Sequence, residues 1–403
     1  SKPGPEPELE TDTDAELVDL TPEVDVDSPD EVDAADEAEE EVELPPGCLP
    51  RLRPHMTFEL LPTAAAPEIH AAVDFDGEFV WVAYNRPDDQ GNGGFDTFFV
   101  RIGCNGAIEG EPVAVHDPTV DNEIDPTLAI GPDAVLIAWM RDNGAAPHNL
   151  DILYRLFARD GTPLGPVHTL VTTRQGAPLA NNAWMPEVAA LADGSFAIAG
   201  TRADETSFQV FVQRLAADGS LQGDGIDGWY AAEAFDGHPS LRAAADGTLW
   251  LAWARDVEGS DVPYMVSIAP GASEPSVAAE VNPGRLGSGA SFLLSGPDVL
   301  VAMGSDGEGE SNILVRALPN ETPLLLGRNG RIDHSPALAA GPDGGGMFFY
   351  RVRSGIRNDV ILQHLRFVDG ELSAGDEVEL PLDEAAGPYG AAITHVGDGN
   401  YFV

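Results

Sequence analysis

Three observations in this 403-residue chain predict an all-β fold, a β-propeller of four-stranded antiparallel blades. From residue 67 onward an apolar strand, a turn built on Asp-Gly or Gly-Pro-Asp, and a second apolar strand recur again and again. A third strand, alternating apolar and polar residues, follows most of these hairpins. The hairpin turns fall near residues 76, 132, 193, 246, 297, 343 and 398. Four antiparallel strands at a period of about fifty residues are the pattern of propeller blades.

Each element has a local reason. The hairpins read "HAAVDFDGEFVWVAYNR", "PTLAIGPDAVLIAWMRD", "PEVAALADGSFAIAGTRAD", "PSLRAAADGTLWLAWARD", "ASFLLSGPDVLVAMGSD" and "PALAAGPDGGGMFFYRVRS". Asp-Gly supplies the positive φ values that a tight hairpin turn needs. The third strands are "DTFFVRIG", "DILYRLFARDG", "FQVFVQRLAADG", "NILVRALPN" and "VILQHLRFVDG". Weaker fourth strands such as "TPLGPVHTLV" follow a further turn. A seventh hairpin, "AAITHVGDGNYFV", has room for two strands only. Seven blades are therefore expected, six complete and a partial seventh, with "MTFELLP" (residues 56–62) joining the last blade as its outer strand. That closure leaves no open sheet edge. Six blades plus a remnant is the other arrangement the pattern allows.

Charge divides the chain into two parts. The formal net charge is −47, and residues 1–47 hold nineteen Asp or Glu against Lys2 alone. This segment has no aromatic residue and no sustained period, so it cannot bury enough apolar surface to offset its ordering entropy. Residues 1–47 are expected to form a disordered acidic spacer and residues 48–403 the propeller. The spacer reads as a solvated tail, as a tether, or as an acidic ligand for a cationic or calcium-loaded partner, which would allow assembly through the tail. Nucleic acid is excluded as a partner, because phosphate binding needs a basic face. No apolar run approaches the roughly 20 residues of a membrane-spanning helix. Cys48 and Cys104 flank the first folded segment, and a disulfide between them would imply an oxidising compartment; two buried thiols are the alternative.

The propeller has few cations, and half of its arginines follow the repeat. Arg86, Arg141, Arg202 and Arg255 end the second strand of their hairpins, and Arg351 or Arg353 does so in the sixth. The fifth hairpin carries Ser305 and Asp306 there. A second series, Arg101, Arg155, Arg214, Arg316 and Arg366, ends the third strand. Acids stand beside the first series: Asp88 and Asp89, Asp142, Asp204 and Glu205, Asp256. On one reading Arg-Asp pairs tie the structure together or cap loop carbonyls in planar bidentate geometry. On the other, Arg86, Arg141, Arg202, Arg255 and Arg351, with Trp184, His238 and His334, form a ligand-binding ring able to hold a carboxylate or sugar. Trp81, Trp139 and Trp253 lie within strands and are expected in the core. Trp184 sits in an irregular insertion, "TTRQGAPLANNAWMPE", where a specific contact is expected.

Calcium is the one cofactor with any motif. "DDQGNGGFD" places Asp88, Gln90, Asn92 and Asp96 at alternating positions with a glycine at the bend, partly matching a calcium-binding loop. Its metal ligands would include Asp88, Asn92 and Asp96, with Phe99 where the bidentate glutamate would be. A solvated loop accounts for the same residues. No Walker, G-x-S-x-G or H-E-x-x-H motif is present.

The repeat "DGSFAIAGTRADETSFQVFVQRLAADGS" (residues 193–220) resembles the "DG...VAG...VxRLxxDGS" units of secreted bacterial propellers, and the Pro- and Glu-rich start resembles the spacer of bacterial lipoproteins, without their cysteine. The resemblance implies an exported, cell-surface protein. "AAADGTLW" is similar to the Asp-box of sialidases but lacks its serine and joins a different pair of strands. These features lead to three expectations of function: a non-enzymatic binding or scaffold module whose partner is a protein or glycan at the cell surface; a sialidase-like, carbohydrate-active enzyme; or a structural subunit of an extracellular assembly.

Overall fold

The computed structural model describes residues 69–87, 94–103, 106–116, 121–142, 150–171, 173–174, 177–178, 182–203, 207–227, 235–257, 260–281, 291–295, 298–307, 310–318, 324–326, 333–341, 344–354, 357–368, 371–380, 392–397 and 400–402. All described secondary structure is strand, and no described helix is long and apolar enough to cross a membrane. Cys48, Cys104 and residues 56–62 lie outside the described residues, as does the whole acidic segment.

The strands form a β-propeller. Among the described residues, beside a separate two-stranded ribbon that pairs Thr173–Arg174 with Ala177–Pro178, seven blade-like units succeed one another. Six have four strands, the third and fourth of these joined in one eight-stranded sheet, and the last, Thr394–Gly397 with Asn400–Phe402, has two. Every hairpin pairing within them is antiparallel between neighbours in sequence. A single parallel pairing, Phe208 with Phe235, links the third sheet to the fourth. The inner strands Ile69–Phe75, Asn122–Ile130, Ala183–Ala190, Phe235–Ala243, Ser291–Ser295, Asp333–Gly341 and Thr394–Gly397 touch in a closed cycle, the last against the first.

Period-2 alternation explains how such a ring is packed. On the second strand of the first sheet, Trp81 and Ala83 face the second sheet, where they meet Trp139 and Phe157. The residues between them, Val80, Val82 and Tyr84, face the seventh sheet and meet Val396. The same division repeats around the cycle, so the core is seven apolar wedges between neighbouring sheets, not one central mass. Trp81, Trp139 and Trp253 are fully buried in these wedges. Burying each such ring contributes on the order of 2–3 kcal/mol. Space in the wedges is tight: a Cβ on Gly200 would stand 2.6 Å from Ile152 of the adjoining sheet.

The turns are built on Asp-Gly as expected, but they are not the two-residue turns with positive φ at both positions. Only the glycine takes positive φ, in a longer loop that at Asp193 is closed by the Gly194 N–H donating to the Leu191 carbonyl and the Leu191 N–H to the Ser195 carbonyl. At Asp160, Asp193, Asp218 and Asp246 the following glycine has φ between +81° and +87°. The Asp carboxylate accepts a hydrogen bond from the N–H two residues on, at 2.8, 3.0, 2.9 and 2.9 Å. Those hydrogen bonds hold all four carboxyls below the usual range, the Ser195 and Ser220 hydroxyls acting first at Asp193 and Asp218 and the backbone N–H first at Asp160 and Asp246.

Candidate functional site

The inner strands shape the site. In the second, third and fourth sheets the register slips by one residue at Asp125-Pro126, Met185-Pro186 and His238-Pro239. Proline has no N–H to give to the ladder, and the bulge places the strand's one missing donor there. The residue before each proline takes a left-handed backbone, with φ of 51°, 53° and 52°, a conformation that costs a non-glycine residue about 1–2 kcal/mol. All three line a cavity of about 1110 Å³ that runs among the inner strands of all seven sheets.

The five predicted arginines stand outside that cavity and are engaged. Arg351 is 2% exposed and donates to Asp333 at 2.8 and 3.0 Å and to Glu377 at 2.7 and 2.9 Å. Its hydrogen bonds to Glu377, then those to Asp333, raise its pKa further. Arg255 donates to Asp236 at 2.6 and 2.8 Å, and those bonds likewise raise its pKa. Arg202 is buried and reaches Gln209 at 3.1 Å and Asp227. Arg141 bonds Asp151 at 2.9 Å. Arg86 lies 3.7 Å over the Phe98 ring, opposite Asp96 in the strand register.

The partners differ from the acids adjacent in sequence. Asp333 opens its inner strand and Asp236 is the second residue of its own, and each sits cross-strand from its arginine, Asp236 against Arg255 and Asp333 against Arg351. In the third sheet that cross-strand position is Ala183, so Arg202 turns to residues further out in its own sheet. The second arginine series does something else: it ties neighbouring sheets together through carbonyls. Arg101 donates to the Arg159 carbonyl at 2.9 Å, Arg155 to Val115 at 3.1 Å, Arg214 to Ala269 at 3.0 Å and Arg316 to Val281 at 2.6 Å. Arg366 is exposed.

Of the remaining predicted residues, His238 is exposed at the cavity rim. His334 lies in an inner strand opposite Tyr350, its side chain outside the described residues. Asp88 and Asn92 are also outside them, while Asp96 is buried within its strand. Among the described residues no three His, Cys, Asp or Glu side chains gather as metal ligands.

Trp184 is half-buried and begins a row of aromatic rings that the sequence reading missed. Its ring meets Phe208 edge-to-face, centroids 5.0 Å apart, and Phe208 meets Phe235 at 5.2 Å in the same manner. Phe208 is 39% and Phe235 48% exposed. Each opens its strand, Phe208 directly after the polar stretch "ADETS" and Phe235 after "AAEA". For Phe208, a large apolar residue following a polar stretch was the signal available; Phe235 had none. The row lies on the end of the sheets that carries His238, next to the cavity rim.

No family model and no curated protein matches the chain. Its fold is similar to that of a protein of unknown function from Dyadobacter fermentans DSM 18053, at 14% identity over 73% of this chain and 93% of that one, with a TM-score of 0.51. It is also similar to an ulvan lyase, described as a new family of polysaccharide lyase, at 11% identity over 77% of this chain and 82% of that one, TM-score 0.53. A second structure of that lyase, bound to -[GlcA(1-4)Rha3S]-, gives 0.51 at 11% identity, over 76% of this chain and 82% of that one. At these identities the likeness is one of fold.

Proposed function

We propose that this chain is an exported, cell-surface binding module that holds a glycan across Trp184, Phe208 and Phe235 beside the cavity rim. The exposed aromatic row carries the reading. Rings that stay in water at the end of a sheet forgo burial, and sugar rings stack on such faces through their apolar C–H groups. The glycan is a neutral one: a chain of net charge −47 repels polyanions, and the predicted arginines near the rim are held by carboxylates or an aromatic face. A neighbour of similar fold is bound to a polysaccharide, there one that carries glucuronate, which supports a saccharide ligand but not its neutrality. The acidic segment 1–47 serves in this reading as a spacer holding the propeller off a surface, in keeping with the resemblance to secreted propeller repeats.

The test is affinity electrophoresis of the full chain in gels containing neutral and uronate polysaccharides. Retardation by a neutral polysaccharide that drops about tenfold or more in Trp184→Ala and in Phe208→Ser/Phe235→Ser supports the reading. Retention unchanged in both variants overturns it. Release of shortened oligosaccharides in the same samples would favour the carbohydrate-active enzyme.

A further inference from the structure

A binding site in a repeat protein shows where equivalent positions stop being equivalent. Two rings of matched inner-strand residues line the cavity. One, defined by its partner on the second strand, comprises Ala72, Thr127, Glu187, Ser240, Ser291 and Ala337. The other, two residues further along, comprises Asp74, Ala129, Ala189, Arg242, Leu293 and Ala339. Nine of these twelve are uncharged, and among the three exceptions Arg242 acts on both of the others. Arg242 Nη1 stands 3.7 Å from Glu187 Oε2, and the Arg242 charge also reaches Asp74.

These three groups are weakly held by the protein. Among the described residues the Arg242 guanidinium donates one hydrogen bond, to the Leu241 carbonyl at 2.8 Å, and Glu187 accepts none. Both side chains keep about a third of their surface, and it faces the cavity. Asp74 accepts from the N–H groups of Phe75 and Ile130 at 2.8 and 3.1 Å. Enclosure in the cavity pushes the Glu187 carboxyl up to about 7 and Asp74 up to about 6, with Arg242 opposing both. A Glu187 carboxyl that keeps its proton up to about pH 7 leaves the guanidinium 3.7 Å away short of a counter-charge below that pH.

We propose that Arg242, Glu187 and Asp74 form a site within the cavity for a small hydroxy-carboxylate anion, separate from the aromatic rim. The planar guanidinium fork matches a carboxylate in bidentate geometry. The protonated Glu187 carboxyl donates to a hydroxyl or to the bound carboxylate, and a metal cation is opposed by Arg242. Asp125, His238 and His395 line the same cavity, and Asp76 adds its charge against Asp74, so the bound anion meets further carboxylates unless protons are taken up. Binding therefore tightens as the pH falls through about 7 and Glu187 gains its proton.

Isothermal titration of the full chain with D-glucuronate, at constant sodium chloride, tests this at pH 6 and pH 8.5. The expected result is binding at pH 6 that weakens about tenfold or more at pH 8.5, and that falls about tenfold or more in Arg242→Gln at pH 6. In Glu187→Gln the difference between the two pH values shrinks, since the proton uptake is gone. Absence of binding by the folded wild-type chain at both pH values overturns the proposal. So does equal affinity in Arg242→Gln, or equal displacement by added chloride.

Discussion

Arg351 and Arg242 are two guanidinium groups facing carboxylates within one ring, and they are in opposite circumstances. Arg351 is enclosed by Asp333 and Glu377, with four hydrogen bonds. Among the described residues Arg242 has one carboxylate within 4 Å, at 3.7 Å, one hydrogen bond to the Leu241 carbonyl and the Phe292 ring at 5.9 Å, and it lines the cavity. The first is architecture: its donors are taken up by two carboxylates of its own sheet. The second leaves capacity unused. A cation's availability is set by how many carboxylates its neighbours bring, and that is a property of the assembled ring, not of the residue type.

The sharpest way to break the contrast is Arg351→Met. It leaves Asp333, fully buried, beside Glu377 with no counter-charge, and is expected to destabilise the chain by about 3–5 kcal/mol in urea unfolding. A loss near zero would mean that this cluster is no more structural than the cavity one. Arg255→Gln removes two bonds to the buried Asp236 and is expected to cost about 2–3 kcal/mol by the same measurement.

Asp74→Asn sharpens the comparison in the other direction. The Asp74 carboxyl titrates near 6 in the folded chain against 3.8 unfolded, so the native state binds this proton more tightly. The stability it gives is complete below pH 3.8 and is lost as the pH rises through about 6. The variant should therefore match the wild type near pH 4 and be more stable at pH 7.5, by at most about 2–3 kcal/mol. Urea unfolding across that range checks the sign; a variant less stable at pH 7.5 would show that the hydrogen bonds from Phe75 and Ile130 outweigh burial. The smallest effect is expected of Arg242→Gln, within about 1 kcal/mol of wild type by thermal melting, as for other loosely held ion pairs.

Much of the fold was legible because its cause is local. Asp-Gly turns, alternation along strands and a period near fifty residues all act within one hairpin, and each hairpin states them again. The buried tryptophans Trp81, Trp139 and Trp253 followed from their place inside strands. The arginine positions were legible too, but their partners were not. Asp256 adjoins Arg255 in sequence, yet the guanidinium takes Asp236, which the strand register sets opposite it. Glu377 reaches Arg351 from the outermost strand of its sheet.

The sequence by itself determined the repeat, the strand order within each sheet and the charge of the acidic segment, since turn chemistry and period-2 alternation are written over a few residues at a time. Only the tertiary structure decided which side chains share a site. Trp184, Phe208 and Phe235 become one row because two adjoining sheets pair at a single point. Asp74, Glu187 and Arg242 come together because the inner strands of the first, third and fourth sheets face one enclosed space. Ring closure brings residues more than one hundred and fifty positions apart into one electrostatic environment, and no local pattern records that distance.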